Sequence, residues 1–218
     1  MSVSEITHQF IQGLQQTTWL EYIAVFSGIA SVWYSRKENI LVYPVGLIST
    51  IIYVYISFKG SLFGEAGVNF YYTVVSIYGW MLWSRKADDN SKMMRITFAN
   101  NKEWLTHIAF FVACYTITFF ALTFLKKQFA PGAIPLADGF ASATAFTGMW
   151  LMARKKVESW YWWIATNIAS IPLYFVKNYV FTSAYYFVLL IMAFWGLAEW
   201  MRKARQQKLQ YSLIKKSD

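Results

Sequence analysis

Cysteine and histidine are scarce in this chain of 218 residues, which contains one cysteine and two histidines. The single Cys114 excludes an intrachain disulfide, and neither His8 nor His107 has neighbours in the sequence that could complete a metal site. The chain also lacks an HExxH motif, a glycine-rich phosphate-binding loop and a Ser/His/Asp grouping. The sequence therefore predicts no metal, no cofactor, no catalytic residues and no enzymatic activity.

Charged residues are few as well. They make up 14% of the chain, whereas 57% of the residues are hydrophobic and 20% are aromatic. Since a soluble domain has about 25% charged residues, this composition indicates a membrane protein. The net charge of +9 does not indicate nucleic acid, because the basic residues form short runs between apolar segments and not one basic face. We expect a lipid bilayer, and no nucleic acid, among the partners.

Seven apolar segments are long enough to cross a bilayer as helices, since about 20 helical residues span about 30 Å of hydrocarbon. Helices are expected because backbone polar groups cannot stay unpaired in lipid. The region before the first segment lacks the basic stretch of a cleavable signal peptide, so we expect this segment to be retained. The segments comprise residues 19–34, 40–58, 66–83, 104–125, 135–153, 160–176 and 183–201.

Basic residues divide unequally between the two ends of these segments. The loops after the first, third and fifth segments, together with the tail, hold sixteen Lys and Arg residues. The N-terminal region and the other three loops hold four. Because cytoplasmic loops are enriched in Lys and Arg, this division predicts a multi-pass membrane protein with its N-terminus outside and its C-terminus inside.

The sequence repeats itself at a distance of 117 residues. An aromatic-Gly-x-x-x-Trp-x-Arg-Lys pattern occurs at residues 78–86 and again at 195–203, and Trp33 and Trp150 each precede a basic pair. Equivalent segments are four spans apart, so both copies have the same orientation. The pattern predicts an all-α integral membrane protein whose seven transmembrane helices form two parallel three-helix repeats, residues 19–86 and 135–203, joined by a linker helix, residues 104–125.

Two such repeats are typical of a small transporter that holds its substrate between the halves, and a membrane scaffold that transports nothing is the alternative. The apolar segments contain no paired carboxylates. Because ion-coupled carriers need acidic groups at mid-membrane, facilitated diffusion is favoured over coupling to an ion.

Aromatic and amide side chains form a stripe on each of two predicted helices, because residues spaced three or four apart share one helical face. The stripe in the sixth segment contains Trp160, Trp163, Asn167, Ser170 and Tyr174. The stripe in the third segment contains Asn69, Tyr72, Ser76, Trp80 and Trp83.

These residue types suit a flat cation. A tryptophan face attracts a cation with about 2 kcal/mol when desolvated, and an asparagine both donates and accepts hydrogen bonds. An unpaired amide in hydrocarbon costs roughly 2–7 kcal/mol, so Asn69 and Asn167 should face the bundle interior. Trp163 and Asn167 are favoured as binding residues. Trp160 fits an anchor at the membrane interface equally well, and Asn69 fits a bond to a neighbouring helix equally well.

The chain resembles the PnuC-type vitamin transporters over about residues 19–203. The resemblance rests on the pattern Trp160-x-x-Trp163-x-x-x-Asn167, on Ser76-Ile77-Tyr78-Gly79-Trp80 with Trp83, and on Leu173-Tyr174 with Lys177. It implies a SWEET-like fold of seven helices, a homotrimer, and passive uptake of nicotinamide riboside that phosphorylation traps inside the cell.

The same resemblance implies binding residues. Trp163 and Asn167 match the family motif with Trp160 beside them, and Asn69 and Tyr72 are further candidates, to which the stripes add Tyr174 and Trp80. Many family members have Gln near position 69. Because related members carry thiamine, thiamine or another cationic vitamin is the alternative substrate.

Overall fold

The computed structural model describes residues 3–60, 63–85, 94–129 and 132–217. These residues form eight α-helices, and the expected all-α class is confirmed. The helices are α1 (Val3–Gln16), α2 (Trp19–Arg36), α3 (Val42–Lys59), α4 (Phe63–Trp83), α5 (Asn101–Phe129), α6 (Pro135–Ala153), α7 (Ser159–Val176) and α8 (Val180–Ser217). The predicted end of the first repeat, residue 86, and the basic residues 86 and 92 lie outside the described residues.

The seven predicted segments coincide with α2 to α8, and the structure differs from the prediction mainly at the ends. Helix α8 continues to Ser217, beyond the predicted end near residue 201, because the Arg, Lys, Gln and Leu residues that follow are good helix formers in water. Helix α1 was not predicted. It ends at Gln16. Thr18 caps the N-terminus of α2 through a capping box, in which the Thr18 side chain accepts the backbone N–H of Glu21 and the Glu21 side chain accepts that of Thr18.

Among the described residues, three helical stretches are long and apolar enough to cross a membrane: Val42–Lys59, Asn101–Phe124 and Val180–Gln210. The other predicted spans coincide with α2, α4, α6 and α7, which contain more Gly, Ser, Thr and Tyr. Small and hydroxyl-bearing residues are typical of helices that pack closely on each other in a membrane bundle. Length and composition alone therefore support three spans.

The helices pack as two sets. Helices α2, α3 and α4 pack in chain order, as do α6, α7 and α8. Contacts of α4 with α6 and of α2 with α8 join the sets, while α5 lies on α6 and α1 lies on α8. Helix α5 thus contacts mainly the set formed by α6, α7 and α8.

Two aromatic triads of the same construction lie near the end of α4. In the first triad (Tyr43, Gly79, Trp83), the Tyr43 ring occupies the space where a side chain at Gly79 would lie. Tyr43 also meets Trp83 edge-on, with ring centroids 5.2 Å apart at 88°. A larger residue than glycine would therefore displace the Tyr43 ring.

The second triad (Trp160, Gly196, Trp200) follows the first at a distance of 117 residues at each position. The Trp160 ring occupies the space beside Gly196, and its centroid lies 5.7 Å from that of Trp200 at 87°. The indole rings of Trp83 and Trp200 lie 6.2 Å apart. The sequence repeat therefore corresponds to repeated side-chain packing.

The loops after α2 and α6 are also alike. Glu38 and Lys155, again 117 residues apart, both adopt positive φ angles, 61° and 52°. Their side chains form an ion pair of 2.7 Å. The Trp83 indole donates to the backbone oxygen of Ala153 at 3.1 Å and the Trp200 indole to that of Ser35 at 3.0 Å. Each set of helices thus ends in hydrogen bonds to the other.

Candidate functional site

Helix α7 positions Trp163 and Asn167 one turn apart, with Trp163 on the face that meets α6. The Trp163 indole lies against the α6 backbone, because α6 has a glycine at position 148 and a methyl group there would lie 3.3 Å from three indole atoms. Asn167 is 3% exposed. An asparagine amide both donates and accepts hydrogen bonds, so Asn167 can bond a polar ligand inside the bundle.

Helix α4 brings Tyr72 to the same place. The ring of Tyr72 lies 6.2 Å from that of Trp163 at 51°, and 6.3 Å from that of Phe146 of α6. The neighbouring Tyr71 is bound in place by a 3.0 Å hydrogen bond from its hydroxyl to the backbone oxygen of Phe146. The predicted stripes of the third and sixth segments therefore meet at Tyr72 and Trp163, one residue from each set of helices.

Tyrosines extend this aromatic surface toward the far end of α7. Tyr174 stacks on Tyr186 of α8 with centroids 5.2 Å apart at 14°. Tyr186 in turn meets Tyr185 with ring centroids 5.7 Å apart at 65°. Beyond Tyr174, the Lys177 ammonium lies 5.8 Å from the Tyr174 ring and pairs with Asp138 at 2.7 Å. The surface thus consists of aromatic rings, several with hydroxyl groups, and the ion pair of Lys177 and Asp138 lies at the end beyond Tyr174.

Three of the residues predicted from the sequence lie elsewhere or are already bonded. Trp160 is 1% exposed and packs in the second triad. Trp80 is 40% exposed, and among the described residues no ring contact joins it to Tyr72 or Trp163. The Asn69 amide donates to the backbone oxygen of Glu65 within its own helix at 3.0 Å. Of the predicted set, the structure brings Trp163 and Tyr72 together, and Asn167 follows Trp163 by one turn of α7.

Other residues at the site were not found from the sequence. They are Phe146 and Gly148 of α6, and Tyr186 of α8 with its neighbour Tyr185. A signal for α6 was present, because its buried positions are mostly Gly, Ala and Thr, and such residues indicate close helix approach. The tyrosines of α8 are indistinguishable in the sequence from those of a membrane-interface belt.

The chain is similar to known transporters over almost its whole length. A sequence model of the nicotinamide mononucleotide transporter family matches residues 18–202. The chain belongs to this family. The nicotinamide riboside transporter PnuC of Escherichia coli is similar to this chain. The two are 23% identical over 87% of this chain and 88% of that one.

Two further similarities were found, one in sequence and one in fold. The riboflavin/roseoflavin transporter RibM of Streptomyces davaonensis is 24% identical over 88% of this chain and 89% of that one. The crystal structure of the vitamin B3 transporter PnuC matches with a TM-score of 0.70 and 24% identity, covering 94% of this chain and 90% of that one. The fold is therefore that of PnuC, and the relatives named are transporters and not enzymes.

Proposed function

We propose that this chain carries nicotinamide riboside by facilitated diffusion across the bacterial cytoplasmic membrane, and that phosphorylation inside the cell traps the vitamin. The observation that carries the proposal is the aromatic pair of Trp163 and Tyr72, 6.2 Å apart, beside the buried Asn167 amide. The names of the PnuC relatives support the choice of vitamin.

Binding follows from the chemistry of these residues. The pyridinium ring of nicotinamide riboside is a flat cation, which the Trp163 face attracts. The Asn167 amide donates to and accepts from the carboxamide or the ribose of the substrate. Tyr72 supplies a second aromatic surface, and Tyr174 with Tyr186 continues it toward the outer end. Because aromatic rings hold the cation without a buried carboxylate, binding stays weak enough for release on the other side.

The proposed architecture has α2 to α8 as seven transmembrane helices. Residues 19–86 and 135–203 form two parallel repeats joined by the linker helix at residues 104–125. Support comes from the two triads 117 residues apart and from the paired positive φ angles of Glu38 and Lys155. The division of basic residues supports an N-terminus outside and a C-terminus inside. The resemblance to PnuC-type transporters supports a homotrimer.

A binding panel tests the choice of substrate. Purified protein is titrated calorimetrically with nicotinamide riboside, thiamine, riboflavin and a deoxynucleoside. We expect nicotinamide riboside to bind most tightly. Thiamine is the alternative because its thiazolium ring is also a flat cation, and riboflavin because the relative RibM is a riboflavin/roseoflavin transporter. If thiamine or riboflavin bound most tightly, that vitamin would be the substrate in place of nicotinamide riboside. If no vitamin bound, the proposed binding site would be refuted.

Uptake into proteoliposomes tests the mechanism. Labelled nicotinamide riboside should enter down its concentration gradient and stop at equal concentrations inside and outside. Ionophores that collapse ion gradients should leave the rate unchanged. Loss of uptake with ionophores would establish an ion-coupled carrier, and the absence of any uptake would favour the membrane scaffold.

A further inference from the structure

A groove between α2 and α8 opens on the outer surface of the bundle. Its volume is about 560 Å³, and its walls include Phe26, Ala30, Trp33, Ile191 and Trp195. Phe26 is 65% exposed and Trp195 is 54% exposed. In a membrane such a surface faces lipid, so the groove offers an apolar channel to an acyl chain.

The groove changes character at one end. Past Trp33 and Trp195 it continues into a polar section lined by Arg36, Glu199 and Arg202. Arg202 is neutralised locally, since its guanidinium donates to both carboxylate oxygens of Glu199 at 2.8 and 2.9 Å. This end carries the basic residues that the charge distribution predicts to be cytoplasmic.

Arg36 differs from Arg202 in having no counter-ion among the described residues. Its guanidinium lies 4.0 Å from the centre of the Trp33 ring and 6.0 Å from that of Trp195. Its Nε is buried and has no hydrogen-bond partner among the described residues. The two indoles therefore hold the cation in place, and since no described carboxylate pairs with it, its charge remains available to an anion in the groove.

Trp150, which lies 117 residues after Trp33 in the other set of helices, is covered by the protein itself. There Arg154 lies 4.4 Å from the Trp150 ring centre, and Trp150 stacks on Phe110 of α5 at 4.7 Å. Helix α5 thus packs on this face of α6. On α2 the matching face, with Phe26 and Trp33, remains exposed.

We propose that the groove between α2 and α8 binds one anionic phospholipid of the inner leaflet. One acyl chain lies along the apolar section, and the phosphate accepts hydrogen bonds from Arg36. Basic pockets between transmembrane helices on the cytoplasmic side bind such headgroups, and the guanidinium fork matches phosphate oxygens. The proposal depends on the proposed orientation in the membrane and not on the proposed substrate.

Native mass spectrometry of the full-length, delipidated protein tests the proposal. Phosphatidylglycerol or phosphatidylcholine is added at equal concentration, and the bound lipid is counted for wild type, Arg36→Ala and the matched control Arg154→Ala. The control also removes one arginine stacked on a tryptophan. Wild type and the control should prefer phosphatidylglycerol. Arg36→Ala should reduce the retained phosphatidylglycerol about fivefold, the factor expected for one basic residue near the membrane surface.

A second variant, Ala30→Phe, tests the apolar section by filling it. It should reduce phosphatidylglycerol binding while the labelled vitamin still enters proteoliposomes. Equal lipid binding by Arg36→Ala and Arg154→Ala would overturn the proposal. So would a change in the mass of the assembly in Ala30→Phe with lipid binding unaltered, because the groove would then be an interface between copies of the chain.

Discussion

At the residue scale, Trp163 should contribute more to substrate binding than any other tryptophan of the chain. Trp163→Ala removes the ring that faces Tyr72, so affinity for nicotinamide riboside should fall about tenfold or more, as expected for a desolvated cation–π contact of about 2 kcal/mol. Calorimetry on the purified protein measures the change. Trp104→Ala is the control, because that indole contacts His107 of α5 and not the site. Unchanged affinity in Trp163→Ala would refute its role.

Asn167 should matter for binding and not for folding. Asn167→Ala should weaken nicotinamide riboside about tenfold because the ligand loses hydrogen bonds to a buried amide. The midpoint of thermal unfolding should change little, because the proposed partner of that amide is the substrate and not a neighbouring side chain.

The adjacent Thr166 provides the contrast. Its hydroxyl donates to the Trp162 backbone oxygen at 2.9 Å and bonds to Thr144 of α6 at 3.0 Å. Thr166→Val should therefore lower the midpoint of thermal unfolding. If Asn167→Ala lowered it equally, Asn167 would be part of the structural framework and the proposed contact with substrate would lose its support.

At the scale of helices, the two triads set how closely neighbouring helices approach. Gly79→Ala and Gly196→Ala each add a methyl group in space that an aromatic ring already fills, the Tyr43 ring and the Trp160 ring respectively. Each variant should therefore destabilise the folded protein by about 1–3 kcal/mol through overpacking. Thermal unfolding of the detergent-solubilised protein measures the effect.

Gly67→Ala is the matched control for these variants. It lies in α4 like Gly79, but no atom lies within 4 Å of an added methyl group. It should leave stability unchanged or raise it, since alanine is the better helix former. Equal stability of all three variants would show that the triads do not limit helix approach.

At the scale of the whole molecule, the orientation of the chain is accessible to labelling. In a Cys114→Ser background, Asn39→Cys and Lys59→Cys place single exposed thiols at opposite ends of α3. A membrane-impermeant maleimide added to intact cells should label the thiol at position 59 and not that at position 39, because the positive-inside rule places the loop after α2 in the cytoplasm. The reverse result would invert the proposed topology.

Local features of the sequence were sufficient for the helices and for much of the site. The seven apolar segments coincide with α2 to α8, because hydrophobicity and helical periodicity are properties of neighbouring residues. The repeat at 117 residues paired Gly79 with Gly196 and Trp83 with Trp200, and the structure adds Tyr43 as the counterpart of Trp160. The aromatic and amide stripes pointed to Tyr72 and Trp163, whose rings the structure brings together, and to Asn167 one turn from Trp163.

The Trp160-x-x-Trp163-x-x-x-Asn167 stretch shows what required the tertiary structure. Spacing alone places its two tryptophans on one face, yet Trp160 packs against Gly196 while Trp163 lies against Gly148. In a helix that is apolar on all sides, the sequence pattern does not set the rotation about the helix axis. Close approach of neighbouring helices at small residues sets it. The residue types and their spacing were therefore determined by the sequence, and which aromatic ring faces the proposed substrate was decided by packing.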